Sequence, residues 1–328
     1  MTSIQNKMNI AIALNSKYMR YAYVMLTSLF IQHPHTLFQI YALHMDLTDS
    51  DKEALRSLGR QYNSEFHFLY IDPSVFSDKL PTTEAWSLEA YFRLQLTDLL
   101  SDSVERILYL DVDMIICGSL LDLYHTDFED NLFCVCKDMS VNGHIDDIRG
   151  ALFNPLLEKG FLYFNSGLML WNIAALRGKY SFEDYMQLAA DLHYKILAPD
   201  QDLLNYMHWK HVKYIDEYRY NLFGRIAHSH GVTYEDVKKE TCIVHFAGYK
   251  PWSGEYVHYD IEQLWWDYAK FTPYYHELLE DFLNSSLSSP IVEETIQNLI
   301  HDKHRLKNEL DKTSSLCQKL YTIITPDI

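Results

Sequence analysis

No stretch of this chain is apolar for long enough to cross a membrane, and its first residues, Met-Thr-Ser-Ile-Gln-Asn-Lys-Met, lack the core of a secretion signal. Cysteine is sparse, with five residues and no Cys-x-x-Cys spacing. Zinc-ribbon and dithiol redox chemistry are therefore excluded, and buried free thiols are expected. A reducing cytoplasmic location follows, with peripheral attachment to the inner face of a membrane as a variant of it. Positive charge is also short: 28 Lys and Arg face 45 Asp and Glu, for a net charge of −17. Such a surface repels nucleic acid and anionic lipid, so neither is the main partner. Any bound phosphate must be received by a local positive device.

What the chain does have is size and apolar content. Its 328 residues, 48% of them hydrophobic, suffice for one large α/β domain with an appendage. Tyrosine is abundant at 25 residues. These rings serve ordinary packing, or a cleft for sugars, whose flat faces and hydroxyls suit them.

Strand-like and helix-like patterns alternate from the start. Strands are expected at Met8–Leu14, Phe38–Leu43, Glu65–Ile71 and Val104–Leu110, with helices at Tyr18–Ile31, Ser50–Tyr62 and Leu88–Leu100 between them. That order predicts a mostly parallel sheet covered by helices. Further strands are expected at Leu132–Cys136, Phe161–Trp171, Val212–Ile215 and Thr241–Phe246, with helices at Phe182–Leu192 and Asp202–Met207. Asp138–Gly160 shows no clear pattern, and Asn284–Pro290 reads as a linker. Beyond it, Val292, Ile296, Leu299, Leu306, Leu310, Cys317, Leu320 and Ile324 keep a 3-4 spacing, broken by Lys303 and Thr313. This predicts an amphipathic helix or helix pair across 292–324. It would pack on its own chain, self-associate, or bind a partner helix.

Asp-x-Asp occurs three times. Asp49/Asp51 precede a helical run, where acids cap free amides and favour the dipole. Asp200/Asp202 follow Pro199 and could do the same. Only Asp111/Asp113 end an unbroken apolar run, Ile107-Leu-Tyr-Leu-Asp111-Val-Asp113-Met-Ile-Ile116. Residues i and i+2 of a strand share a face, so these acids can converge, and paired buried carboxylates call for a cation. Downstream, Ile243-Val-His245-Phe-Ala-Gly248-Tyr-Lys250-Pro-Trp252 again ends a strand in a metal-capable side chain. Gly248 allows close backbone approach and Lys250 offers a charge to phosphate oxygens. Two carboxylates and an imidazole favour Mn²⁺ over Mg²⁺. The pairs His33/His35 and His228/His230 lie in polar turns and read as structural.

Tyr109-Leu-Asp111-Val-Asp113, Tyr163-Phe-Asn165-Ser-Gly167, Pro199-Asp200-Gln201-Asp202-Leu-Leu-Asn205 and His245-Phe-Ala-Gly248-Tyr-Lys250-Pro-Trp252 together resemble glycosyltransferase family 8, in the family's order, over roughly residues 8–260. That family includes glycogenin and bacterial lipopolysaccharide galactosyl- and glucosyltransferases. The resemblance implies a GT-A fold, a Rossmann-like and mostly parallel sheet flanked by helices. It would occupy residues 1–260, with a helical C-terminal extension over 261–328. It also implies a UDP-sugar donor, a divalent metal that is usually Mn²⁺, a glycan, glycolipid or glycoprotein acceptor, and retention at the anomeric carbon. By motif, Asp111, Asp113 and His245 would bind the metal. Lys250 and the backbone at Gly248 would meet the leaving phosphate. Asn15 and Tyr18 resemble the uracil-reading positions, although the family often carries an acid where Asn15 stands. Arg93 resembles an arginine that touches donor sugar and phosphate. Asn165, Asp200 and Gln201 would line the sugar, with Asp200 and Gln201 as the catalytic candidates. Galactose is favoured over glucose as the hexose.

Two other readings compete. A haloacid-dehalogenase-type phosphatase also ends an apolar strand in Asp-x-Asp, but Met114 stands where that family has a small residue, and its motif lies near the first strand. A transferase-like subunit that binds UDP or glycan and scaffolds a partner through 292–324 would need no catalysis. The intact set of Asp111, Asp113, His245 and Lys250 speaks against that.

Overall fold

The computed structural model describes residues 6–82, 87–141, 143–254, 258–288 and 290–324. The chain divides into two compact units, one of Met1–Lys250 with Tyr259–Tyr274, the other of Pro251–His258 with Tyr275–Ile328. The first unit thus runs past residue 260. Its last helix, Gln263–Ala269, places Trp265 in the core, and the Tyr268 hydroxyl accepts from Gln32 at 2.7 Å. The helical extension starts at Tyr275, not at 261.

Among the described residues, ten strands form two sheets in the first unit: β1 (Asn6–Ala13), β2 (Thr36–His44), β3 (Glu65–Tyr70), β4 (Arg106–Leu110), β5 (Met114–Ile116), β6 (Phe133–Lys137), β7 (Phe164–Asn172), β8 (Val212–Ile215), β9 (Leu222–Phe223) and β10 (Ile243–His245). The main sheet has the order β3-β2-β1-β4-β7-β6-β8. Its pairs are parallel except that β7 runs antiparallel to both β4 and β6. The expected mixed, mostly parallel sheet with flanking helices is what the chain forms. β4 is buried from Ile107 to Leu110, and β1 at Met8, Ile10, Ala11 and Ile12, because helices cover both faces there, which is why they read as apolar runs.

Three features of this scaffold place chemistry at one edge. Parallel pairing sets Ala11 against Tyr109, so the loops after β1 and β4 emerge side by side. The small second sheet, β5-β10-β9, pairs β10 antiparallel to β5 with His245 opposite Met114. That register sets the imidazole beside Asp113, and the Phe246 amide donates to the Asp113 carbonyl at 3.0 Å. Third, β7 slips against β6: Val135 pairs with Met169 but Cys136 pairs with Asn165. Ser166–Leu168 therefore bulge out of the strand expected over Phe161–Trp171, and Asp111 donates its amide to the Gly167 carbonyl at 2.8 Å.

Several expected elements change form. Leu88–Leu100 is a 3-10 helix over Leu88–Gln95 followed by one α-turn, Leu96–Leu99. Tyr91, Phe92, Arg93, Leu94 and Leu96 are all buried, so most of the segment threads through the core, with Asp98 and Leu99 exposed near its end. The patternless stretch 138–160 contains a helix, Gly150–Leu157. The helix expected at Asp202–Met207 begins at Pro199, which moves Asp200 and Gln201 into its first turn. The expected linker is mostly helical too: Tyr275–Leu287 is one helix, and Pro290–Ile324 is the next. Asp51 completes a capping box with Thr48, so the first Asp-x-Asp copy is structural. His33 is buried between two backbone partners, the Leu29 carbonyl at Nδ1 and the Leu120 amide at Nε2, both at 2.8 Å.

Candidate active site

Asp111, Asp113 and His245 gather beyond the carboxyl end of β4, and one ligand atom of each lies within 4.8 Å of the others. His245 Nε2 is 3.3 Å from Asp113 Oδ1 and 4.0 Å from Asp111 Oδ2. Ligands of an octahedral ion with bonds of about 2.1 Å stand roughly 3.0–4.2 Å apart, and both distances from His245 fall in that range. The donor chemistry fits as well. His245 Nδ1 faces Asn221 Oδ1 at 2.9 Å, which holds the proton on Nδ1 and leaves the Nε2 lone pair turned to the acids. Asp113 Oδ1 is buried without a hydrogen-bond partner among the described residues, as expected of an oxygen reserved for a cation.

Glycine makes this cluster possible. A Cβ on Gly167 would sit 2.6 Å from Asp111 Oδ2, 2.6 Å from His245 Cε1 and 2.9 Å from Asn165 Oδ1. No other residue leaves room for acid and imidazole to converge across the β7 bulge.

Two cations flank the acids. Arg93, 4% exposed, reaches Asp111 Oδ1 at 2.9 Å, the Ser166 carbonyl at 2.5 Å and Asp200 Oδ2 at 3.0 Å, and stacks 4.0 Å from the Tyr109 ring centroid. Burial works against its charge, but Asp111 and Asp200 outweigh burial and hold the guanidinium firmly protonated. Lys250 Nζ lies 2.5 Å from Asp113 Oδ2 and 3.0 Å from the Phe246 carbonyl. Burial alone would raise the Asp113 pKa, yet Lys250 and His245 drive it well below the usual carboxylate range. Asp200 goes the other way: burial lifts it, and the nearby Asp111 charge adds to the rise against the pull of Arg93. Asp111, Asp113 and Asp200 place three carboxyl groups around the two cations Arg93 and Lys250. A diphosphate entering here needs a further divalent cation.

A model of glycosyl transferase family 8 matches residues 9–255. The chain belongs to glycosyltransferase family 8. It is 25% identical over 253 residues to a lipopolysaccharide 1,3-galactosyltransferase of Salmonella typhimurium, covering 75% of this chain and 73% of that one. With a lipopolysaccharide 1,2-glucosyltransferase of Escherichia coli it shares 26% over 254 residues, 74% of this chain and 73% of the relative. Among solved structures, the galactosyltransferase LgtC in complex with donor and acceptor sugar analogs superposes with a TM-score of 0.68 at 22% identity, covering 81% of this chain and 96% of LgtC. That likeness establishes the GT-A fold. Family membership sets aside the phosphatase reading.

The remaining candidates of this family 8 chain divide into those that line the edge and those that brace it. Tyr18 is 38% exposed, its ring edge-on to Tyr21 at 5.5 Å. Asn15 is committed locally: Oδ1 accepts from the Tyr18 amide at 3.0 Å, and Nδ2 donates to the buried Glu89 at 2.7 Å. Gly248 has a φ of +86°, a left-handed turn that brings Lys250 back over β10. Gln201 Oε1 accepts from the Ser166 amide at 2.9 Å and from Asn165 Nδ2 at 3.0 Å, while its Nε2 donates to Asp138 at 3.1 Å. Asn165 in turn accepts from Asn221 at 2.9 Å. A chain of side-chain amides thus runs from Gln201 through Asn165 and Asn221 to His245.

Asp200 and Asp202 diverge, because residues two apart on a helix point roughly 200° away from each other. Asp202 caps the helix from inside by accepting from the Leu197 and Ala198 amides, and also bonds Tyr163. Sequence reasoning missed Asn221, Asp138 and Glu89, which lie outside the four motifs. It gave Gly167 only as part of a motif, without its steric role.

Proposed function

We propose that this chain is a retaining, metal-dependent hexosyltransferase that moves a hexose, galactose ahead of glucose, from a UDP-sugar to a glycan, glycolipid or glycoprotein acceptor. The convergence of Asp111, Asp113 and His245 around a shared point, with the orphaned Asp113 oxygen aimed into it, is the observation that carries this reading. Asp111, Asp113 and His245 would hold Mn²⁺ in preference to Mg²⁺, given one nitrogen donor among the three. When bound, such an ion supplies positive charge to the leaving diphosphate.

The chain's own groups do the rest. In transfer, the bond from the sugar's anomeric carbon to the phosphate oxygen breaks, and a bond to the acceptor oxygen forms. Charge builds on the departing phosphate, and Lys250 with the open backbone at Gly248 is suited to meet it. Arg93 holds Asp111 and Asp200 in register, so that Asp200 and Asn165 can orient sugar hydroxyls. Tyr18 offers its exposed ring to the uracil. Asn15 presents only what Glu89 and the Tyr18 amide leave of it. Gln201 is a poor nucleophile on chemical grounds, since an amide oxygen is far less basic than a carboxylate and this one already accepts three hydrogen bonds. Attack from the same face as the departing phosphate is favoured, and that phosphate takes the acceptor's proton. Gln201 then acts by position, braced against Asp138.

The reading places the enzyme in the cytoplasm, or peripherally at the inner face of a membrane when the acceptor is a glycolipid. No helix among the described residues is long and apolar enough to cross a membrane. The test is UDP release from a panel of UDP-hexoses with and without Mn²⁺, in parallel with Asp113→Ala. Metal-dependent release that the substitution abolishes is expected. If UDP-galactose and UDP-glucose both persist with Mn²⁺ present, the non-catalytic scaffold replaces this reading.

A further inference from the structure

The C-terminal helix carries a heptad pattern that nothing in the catalytic unit requires. Pro290–Ile324 spans 35 residues, about 52 Å at 1.5 Å per residue. Every described side chain from Glu293 to Leu316 is exposed, including Ile296 at 49%, Leu299 at 64%, Leu306 at 58% and Leu310 at 68%. So polar a helix gains little stability by itself in water, where most helical stability comes from covering an apolar face.

The spacing of that face selects its partner. Counting in sevens, the a positions are Ile296, Lys303, Leu310, Cys317 and Ile324, and the d positions are Val292, Leu299, Leu306, Thr313 and Leu320. The register holds over 33 positions, apolar at every a and d position except Lys303 and Thr313, and from Gln297 onward the outer b, c and f positions are all polar. A strict 3.5-residue seam of this kind closes against another helix wound with it, which a flat core face does not demand. Leucine predominates at d, isoleucine recurs at a, and one lysine interrupts a, the composition that favours two strands in register. Charge agrees with that choice. In a parallel pair the g residue of one helix meets the e residue of the next heptad on the other, which sets Asp302 against Lys307 of a second copy. Glu309 then meets Ser314, so no like charges oppose each other in these flanking pairs, while Lys303 meets its own counterpart across the seam, a contact that fixes register at a cost in stability. Ile300 at e and Leu316 at g flank the seam and widen it.

We propose that residues 292–324 form a parallel, in-register, two-stranded coiled coil with a second copy of this chain, making the transferase a homodimer. The proposal is independent of the donor, the metal and the acceptor. It turns the general expectation of self-association or a partner helix into one partner, one orientation and one register.

Cys317 supplies a direct test of orientation, since it is an exposed cysteine at an a position. In the parallel dimer it faces its own counterpart. In a fully overlapped antiparallel pair it would face Leu299. Light scattering on the full chain at micromolar concentration should give twice the chain mass of 38.7 kDa. The double substitution Leu306→Glu with Leu310→Glu should give the single-chain mass, with the circular-dichroism transition of the catalytic unit unchanged. A short bis-maleimide should join two wild-type chains within minutes and should fail with Cys317→Ser. A wild-type monomer overturns the proposal, including one that binds anionic vesicles through this helix. So does a dimer that survives the double substitution, a trimer, or a dimer that Cys317 does not cross-link.

Discussion

Gly167→Ala is the smallest change that should dismantle the proposed metal site. The new methyl would lie 2.6 Å from both Asp111 Oδ2 and His245 Cε1, where ordinary contact starts at 3.4 Å. Relief requires displacement of about 0.8 Å, shared between the bulge and the two ligands. Neither ligand yields easily. Asp111 is tied to Arg93 at 2.9 Å, and His245 to Asn221 at 2.9 Å. Overpacking of this kind costs about 1–3 kcal/mol of stability. A misplacement near 1 Å in a reacting assembly costs about 100-fold in rate. Mn²⁺ affinity measured by electron paramagnetic resonance should fall by about 100-fold, with UDP release falling in step. Gly118→Ala is the control for overpacking alone, since its Cβ would press on Cys242 Sγ at 3.1 Å and on no candidate ligand. It should lower the melting temperature and leave Mn²⁺ affinity intact. If Gly167→Ala binds Mn²⁺ as tightly as the wild type, the three side chains do not form the site.

Two more substitutions probe the buried polar framework. Asn221→Ala removes the acceptor that keeps the His245 proton on Nδ1, so Mn²⁺ affinity should drop by about 10–100-fold while the fold persists; an unchanged affinity, read by the same resonance titration, would remove Asn221 from the site. His208 is fully buried, with Nε2 on the Tyr185 hydroxyl at 2.9 Å, and burial pushes its pKa down from 6.5 to about 3. The unfolded chain takes up a proton near pH 6.5 that the folded chain refuses. Stability is therefore complete above 6.5 and declines as pH falls toward 3, by about 2 kcal/mol at pH 5 from this group. Urea unfolding at pH 7 and pH 5 should show that loss in the wild type and a smaller one in His208→Gln; equal losses would refute the assignment.

Legibility varied along the chain for physical reasons. β1, β2 and β4 were readable because they carry buried residues on both faces, which leaves apolar runs bounded by polar turns, whereas β3, an edge strand with no fully buried residue, was readable from its aromatic composition. Leu88–Leu100 was harder. Its composition is helical, but burial on every side draws it into a tighter 3-10 form that periodicity does not reveal. Asn284–Leu287 misled through its serines, which suit turns and yet end a helix that packing sustains. Asn221 had no local signal at all, because its importance comes from β9 pairing with β10.

Residue type and spacing alone determined the alternation of strands and helices, the acids at a strand end, the distant imidazole and lysine, and the heptads of the tail. These are short-range matters, set by what each side chain prefers within a turn or a strand. Tertiary structure decided which of three Asp-x-Asp pairs faces a histidine, which glycine must be a glycine, and which amides hold the imidazole's proton. Those outcomes depend on the register of β5 against β10 and on a slip between β6 and β7. Pairings between residues more than a hundred positions apart, such as Lys250 with Asp113, leave no trace in local pattern.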